Sequence, residues 1–582
     1  MGGYEDNTMT SSYKGMGRLC NKNIIRTIMI FVAVALNVKY VFVDFGIDAE
    51  FQITMSYRLA EGDSMFKEMW EPHQMSAFLC SFFEKIYLEL FQTTTGIVLY
   101  LQVVGVLLDA AIALGIYRVV SRYLNCKGVA FGMAWVFMIV SPKDVPLAEY
   151  ANMQIWFSML LCLTMFIYFK TTQKRWIILA AFCLCGVVLA YPSCLVLLPG
   201  VIYLLCYCKD RKGMLILVSV CFVCAILYLG IIFCQMPVGD FVLYLEKILA
   251  IETAHDTGIW AKSVNYLKQF SEIAFVVVAA YGCSFGLIRL WYVKKRKLWC
   301  KAEAAVLIDK TFYSILLLIS IYTVFCWQRY VRYSYSLVFL AIIIIGARYS
   351  RRLSGDKFYF YLCGTVISLL QFLATIFLTN LELIASVPYL LIAVIVAFLP
   401  ISEVMSVRKE VAGHGRAMAV ILCVSGFFLV FRNIYIIRPM NGDVSTIMKI
   451  AGIVKEGPAK GIISEYMGPF MQNETIKEWE QYIKDGDSVY LIGGSLDTLA
   501  YMYTDTVVAA PSLISTPGYN ENILTYWEVN PDKYPDVIVA SCWYGTTNDM
   551  LTEESWIMTW IEEEYRPAYI VDGKYWRYYF RE

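Results

Sequence analysis

At 582 residues, with a mean hydropathy of +0.57, 59% hydrophobic and 17% charged residues, the chain is too apolar for a soluble multidomain protein, whose surface needs more charge. It reads as an integral membrane protein. The net charge of +1 gives no sign of a nucleic-acid partner and none is expected, since in a membrane protein the distribution of charge between loops carries more meaning than its sum.

Apolar runs of about 15 to 24 residues, enough to cross a roughly 30 Å hydrocarbon layer as helices, recur along the first three quarters of the chain. They fall near 24–43, 95–118, 127–141, 153–169, 176–191, 194–208, 213–235, 270–293, 308–326, 331–347, 358–378, 384–403 and 417–436, about thirteen in all. The first is long and is followed by no small-residue cleavage site, so it reads as a retained span. Placing the N-terminus in the cytoplasm puts basic residues on every second loop. These are Lys14 to Arg26, Arg118 to Lys127, Lys170 to Arg175, Lys209 to Lys212, KKRK at 294–297, Arg348 to Arg352, and Arg408 to Arg416. Segments 44–94 and 236–269, and the tail from about 437, then lie outside. Most of the 18 cysteines sit within apolar runs and read as small buried hydrophobes; Cys80 and Cys542 are the ones expected on the extracytoplasmic side, with no sign that they pair.

Segment 44–94 concentrates Asp44, Asp48, Glu50, Glu61, Asp63, Glu68 and Glu71 directly after the first span. Its second half, MSAFLCSFFEKIYLELF, has helical spacing and reads as a helix in the membrane interface. Segment 236–269, with FVLYLEKIL and Trp260, is a candidate for a second such element. From 437 the composition becomes that of a soluble domain: SVYLIG (488–493), TVVAAP (506–511) and VIVASC (537–542) read as buried strands alternating with helices at 474–483 and 553–565. The expected architecture is a polytopic α-helical membrane protein, residues 1–436 with the outer loop 44–94, followed by an extracytoplasmic α/β domain over 437–582. LIGGS at 491–495 reads as a strand-to-helix glycine turn, either a tight turn alone or an anion site.

A carboxylate at the membrane–water boundary can accept a proton from a hydroxyl and so activate it as a nucleophile. Asp48 and Glu71 are the candidates; Pro72, beside Glu71, is expected to end any preceding helix. Solvated loop charges are the plainer alternative. In WQRYVRYSYSLVF, Arg329 and Arg332 stand at the outer end of a span, three apart and so on one helix face. The planar guanidinium fork suits a phosphate, although snorkelling to lipid headgroups also places arginines there. An exterior base together with exterior phosphate-binding arginines suggests group transfer from a lipid-phosphate donor, since a phosphate leaving group needs little protonation.

The motifs IDAEF (47–51), RLAEGD (58–63), EPH (71–73), YPS (191–193) and RYVRY (329–333) occur in an order that resembles the GT-C superfamily of polyprenyl-phosphate-dependent glycosyltransferases. The protein O-mannosyltransferase and aminoarabinose transferase branches are the most similar. The likeness covers the order of elements over nearly the whole chain, though each motif is short. The familiar Asp-Glu pair is here Asp48-Ala49-Glu50, which leaves open which carboxylate is the base. No Trp-Trp-Asp signature occurs, so whole-oligosaccharide transfer to asparagine is not expected.

The resemblance implies a multi-pass glycosyltransferase of a bacterial plasma membrane, N-terminus cytoplasmic and C-terminal domain extracytoplasmic. It would move a sugar from a polyprenyl-phosphate carrier to a cell-envelope glycan, lipid or protein. Asp48 is then the expected base, Glu50 or Glu71 the group that orients acceptor or metal, and Arg329 and Arg332 the carrier-phosphate ligands. His73, Tyr150 and Asn152 are candidate substrate-binding residues, with Glu149 beside them, and Asp109 is an intramembrane polar contact. With three histidines in the chain, a histidine-rich metal site is not expected, while a divalent cation held by Asp48, Glu50 and Glu71 stays open. The rival from another class is a lipid or polysaccharide transporter or flippase without transfer chemistry, for which mid-membrane charges and internal repeats would be the sign.

Overall fold

The computed structural model describes residues 6–71, 73–141, 145–255, 258–295, 301–327, 332–378, 381–406, 412–439, 444–465, 467–492, 498–513, 522–541 and 556–581. The chain is a polytopic helical membrane protein. Its helices are, in order, α1 (Asp6–Phe42), α2 (Ile47–Glu61), α3 (Ala77–Phe91), α4 (Ile97–Tyr123), α5 (Lys127–Ile139), α6 (Tyr150–Thr171), α7 (Lys174–Ala190), α8 (Leu197–Tyr207), α9 (Arg211–Gln235), α10 (Val238–His255), α11 (Ile259–Lys294), α12 (Lys301–Phe325), α13 (Tyr333–Tyr349), α14 (Gly355–Leu378), α15 (Leu391–Ser406) and α16 (Ala412–Tyr435). Among the described residues ten are long and apolar enough to cross a membrane: α1, α4, α6, α9 and α11 to α16. The remaining expected spans, at 127–141, 176–191 and 194–208, fall on the shorter helices α5, α7 and α8.

Helix α6 is the centre of the bundle, buried along most of its length and packed on α7, α4 and α14. Its Trp156 indole donates to Asp109 of α4 at 2.6 Å, which answers the cost of a carboxyl within a span. Helices α9 and α11 are peripheral, with large apolar side chains such as Phe222, Leu227, Phe275 and Val278 on the surface. That exposure suits lipid contact and would be a liability in water.

Three local features differ from the expectation, each for a physical reason. Segment 44–94 does not start as an irregular loop, because α1 ends at Phe42 and a separate helix, α2, begins at Ile47 after Gly46 in an extended conformation. Gly62 ends α2, ahead of Pro72, which lies outside the described residues. Gly62 adopts φ 112°, which favours glycine, and its N–H and that of Asp63 both return to the Arg58 carbonyl, at 3.1 and 2.9 Å. Segment 236–269 holds two helices rather than one: α10, then the start of α11, whose 36 residues extend about 54 Å and so reach well past the hydrocarbon layer. The second half of 44–94 is helical as expected, forming α3, with Phe78, Phe82, Leu90 and Phe91 exposed and Glu84 buried.

The tail begins with two antiparallel pairs, β1 (Ile436–Pro439) with β2 (Val444–Thr446), and β3 (Ile450–Ile453) with β4 (Ile463–Glu465). After α17 (Met467–Tyr482) come β5 (Ser488–Ile492), β6 (Val507–Val508), α18 (Ile523–Val529), β7 (Val537–Ser541), α19 (Trp556–Trp560), β8 (Tyr569–Asp572) and β9 (Trp576–Phe580). They form one five-stranded sheet of order β6-β5-β7-β9-β8, parallel among β6, β5 and β7 and antiparallel through β9 and β8. Every residue of β5 is buried, as a central parallel strand covered on both faces requires. The expected strand at 506–511 is reduced to β6, while residues 493–497 of the glycine turn and Cys542 lie outside the described residues.

This domain seats directly on the helical bundle. The Asp44 N–H donates to the Ile463 carbonyl at 2.9 Å, the Gly96 N–H to that of Gly457 at 3.0 Å, and the Thr94 hydroxyl to that of Met502 at 2.7 Å. The ends of α1, α3 and α4 are thereby tied to it.

Candidate active site

Helix α2 supplies the first carboxylates. Asp48 and Glu50 both lie in its first turn, where the helix dipole favours negative charge. Two residues apart they point to different faces: Asp48 is exposed and Glu50 is buried. One turn beyond Asp48, on the same face, the Gln52 side-chain carbonyl accepts a 2.8 Å hydrogen bond from Ser76. The Ser76 backbone N–H donates to the His73 carbonyl at 2.8 Å, so the EPH segment is fastened beside the early turns of α2.

Glu71 is fully buried at the meeting of this segment with the C-terminal domain. One carboxylate oxygen accepts from the Ser512 hydroxyl at 2.7 Å and the other from the Leu513 N–H. Burial pushes its carboxyl up to about 7, against the opposing pull of those two donors and of the Arg58 guanidinium. The same segment is held at four further points. The Arg58 Nε donates to Asp63 at 2.8 Å, Lys533 pairs with Asp63, the Tyr526 hydroxyl donates to the Glu68 carbonyl at 2.9 Å, and the Trp70 N–H to that of Pro511 at 2.8 Å.

His73 stacks on Tyr150, ring centroids 4.9 Å apart at 14°, and lies 5.4 Å from the Tyr191 ring. Tyr150 opens α6, and Tyr191 precedes the 3₁₀ turn Pro192–Val196, so three separate segments converge here. Glu71, His73 and Tyr191 border a cavity of about 360 Å³. Gln74 and Ser193 join them at its polar side, while Tyr228, Ile232, Phe241 and Ile248 of α9 and α10 form an apolar wall. Its size is that of a small-molecule pocket, about 300–1,000 Å³.

The structure thus gathers Glu71, His73 and Tyr150 into one cluster. Asn152 lies one half-turn from Tyr150 on α6 and is committed to the loop before it, donating to the Val145 and Leu147 carbonyls at 2.6 and 2.8 Å. Arg332 immediately precedes α13 and pairs with Glu382 at 3.2 Å; neither residue borders the cavity. Arg329 lies outside the described residues. Among those residues no group of three or more His, Cys, Asp or Glu side chains is placed to hold a metal ion.

Arg58, Ser512 and Lys533 were not singled out by sequence. Arg58 had one usable signal, an arginine five residues before an aspartate across a glycine turn. Ser512 and Lys533 had none, since their partners are more than 400 residues away. Compared with known proteins, the chain matches no family model and no curated sequence.

Proposed function

We propose that the chain is an integral-membrane glycosyltransferase that moves a sugar from a polyprenyl-phosphate carrier to an extracytoplasmic acceptor, a cell-envelope glycan, lipid or protein. The observation that carries this reading is the cavity, which sets a buried carboxyl and the His73–Tyr191 ring pair against an aliphatic and aromatic wall. Such a lining suits a pyranose, whose hydroxyls take hydrogen bonds while its C–H faces lie against rings.

In this reading Asp48 is the general base. It is exposed at the start of α2, where an acceptor hydroxyl arriving from water can meet it. Glu50 turns away from it, and Glu71 orients the site rather than reacting, its oxygens occupied by Ser512 and Leu513. Arg332, with Arg329, takes the carrier phosphate by exchanging Glu382 for it. The acceptor oxygen forms the new bond to the anomeric carbon, its proton passes to Asp48, and the bond to the carrier phosphate breaks with its electron pair on phosphate. Configuration inverts. The N-terminus is then cytoplasmic and the C-terminal domain extracytoplasmic, in a bacterial plasma membrane.

The test is transfer of radiolabelled sugar from a panel of polyprenyl-phosphate sugars by purified protein in lipid, with native membrane extract as acceptor. Wild type is expected to consume one carrier, and Asp48→Asn to lose turnover by about 100-fold or more at unchanged expression. Equal turnover in the variant removes Asp48 from the role of base.

A further inference from the structure

Two cavity-lining residues carry hydrogen-bonding atoms that the described protein leaves without a partner: Gln74 Nε2 and Ser193 Oγ. Gln74 is 1% exposed. Its amide orientation is fixed by chemistry, because the Phe66 backbone N–H donates to Oε1 at 2.7 Å and a backbone N–H can only donate. Phe66 itself sits at φ 65°, an uncommon conformation for a phenylalanine, so the donor is held in place by a strained residue. The Gln74 side chain therefore keeps its N–H donors for a ligand, while one lone pair of Oε1 is already taken by Phe66. A buried donor left unmade costs about 1–3 kcal/mol, which makes a ligand oxygen the natural complement.

The charge of the lining narrows that ligand. Lys and Arg are absent from the described lining residues, and the charged groups available are the Glu71 carboxyl and, when protonated, His73. A phosphate here would be desolvated beside a carboxyl with no cation in the lining to pair it directly, a costly arrangement. A second carboxylate would suffer likewise. Neutral hydroxyls fit all the partners present: they accept from Gln74, exchange hydrogen bonds with Ser193, and lie beside the rings of His73, Tyr191 and Tyr228.

We infer that this cavity is the subsite for an uncharged sugar, with Gln74 and Ser193 as its specificity-determining residues and the carrier phosphate held outside it. The inference rests on the glycosyltransferase reading for the identity of the donor, and on the cavity alone for its preference. Donors with a neutral hexose or pentose are accepted, and donors with a uronate or a phosphorylated sugar are excluded.

The experiment measures equilibrium binding of full-length protein in nanodiscs to three short-chain probes: isoprenyl-phospho-glucose, isoprenyl-phospho-glucuronate and bare isoprenyl phosphate. Wild type is expected to bind the glucosyl lipid at least tenfold more tightly than the other two. Ser193→Ala, which removes one hydroxyl, and Gln74→Glu, which keeps the acceptor for Phe66 while replacing the donor, should each cut glucosyl-lipid binding about tenfold and leave bare isoprenyl phosphate unchanged. Equal loss for all three probes would place the phosphate in the cavity and overturn the inference. So would glucosyl-lipid binding that neither variant changes, or no binding by wild type. Sugar-selective binding without transfer to any acceptor keeps the subsite and removes the transferase; transfer indifferent to both variants does the reverse.

Discussion

The Ser512 hydroxyl donates a 2.7 Å hydrogen bond to Glu71, joining residues 441 positions apart. Through it the C-terminal domain grips the segment that carries His73 into the bundle. Glu71 is thus a junction as well as a wall of the cavity. Its carboxyl belongs half to the chemistry of the site and half to the seating of a domain.

That dual position has a pH signature. Because burial raises the Glu71 carboxyl from 4.5 to about 7, the folded state holds this proton more tightly than the unfolded chain does. Stability from this group is therefore fully present at low pH, falls as pH rises from about 4.5 to about 7, and levels off above, at a total cost of about 3 kcal/mol. Glu71→Gln cannot titrate yet keeps hydrogen bonds to Ser512 and Leu513. Thermal unfolding in detergent between pH 5 and 8 should show the variant gaining on wild type as pH rises, by several degrees. Parallel pH curves for the two proteins would mean that Glu71 reaches water.

The same interface contains an ion cluster in which Asp63 receives both Arg58 and Lys533, Lys533 from the C-terminal domain. All three side chains are largely shielded from solvent, so their pairing is screened less than a surface pair. Lys533→Met should cost about 3 kcal/mol, and Asp63→Asn with Lys533→Met less than the sum of the single changes. A double-mutant cycle on thermal stability checks this. Strict additivity would show that the two side chains do not meet.

The spans were legible because lipid demands an unbroken apolar run, and hydropathy records that demand directly. The site was less so. Helix α2 escaped notice as a buried element because the residues it buries include Gln52, Thr54, Ser56 and Arg58, which leave no apolar stripe. Those polar groups are tolerated by contacts from the turn before α3 and from the C-terminal domain, such as Ser76 on Gln52, that no local pattern reports. The Asp48 and Glu50 spacing would have separated the two carboxylates had a helix been assigned there. Glu71 was picked out as a candidate, whereas its burial depends on Leu513 and Ser512 and could not be read locally.

The His73–Tyr150 stack should be measurable as a coupling. An offset-stacked ring pair contributes about 0.5–1.5 kcal/mol beyond the area it buries. His73→Ala and Tyr150→Leu are each expected to destabilise the fold, and their combination by less than the sum, with a coupling in that range. Thermal unfolding of the four proteins reads it directly. If the coupling is nil, the EPH segment is not docked on α6 in the manner described.

The placement of Tyr150 depends in turn on a close approach one layer below. Loop residues 145–147 are held from one side by Asn152, and on the other they press on Gly105 of α4 so tightly that an added Cβ there would lie 1.4 Å from the Pro146 carbonyl oxygen. The clash is with backbone, so no rotamer change relieves it. Either α4 or the loop must shift, and the loop leads straight into Tyr150. Gly105→Ala should therefore destabilise by about 3 kcal/mol and also depress sugar transfer in the fraction that folds, since Tyr150 would be displaced from His73. Gly132→Ala, on α5 where a Cβ meets nothing within 4 Å, is the matched control and should be neutral or slightly stabilising. Purified yield, thermal unfolding and turnover of the two variants decide it: a Gly105→Ala protein indistinguishable from Gly132→Ala in all three would mean that α4 and the loop are not packed as described.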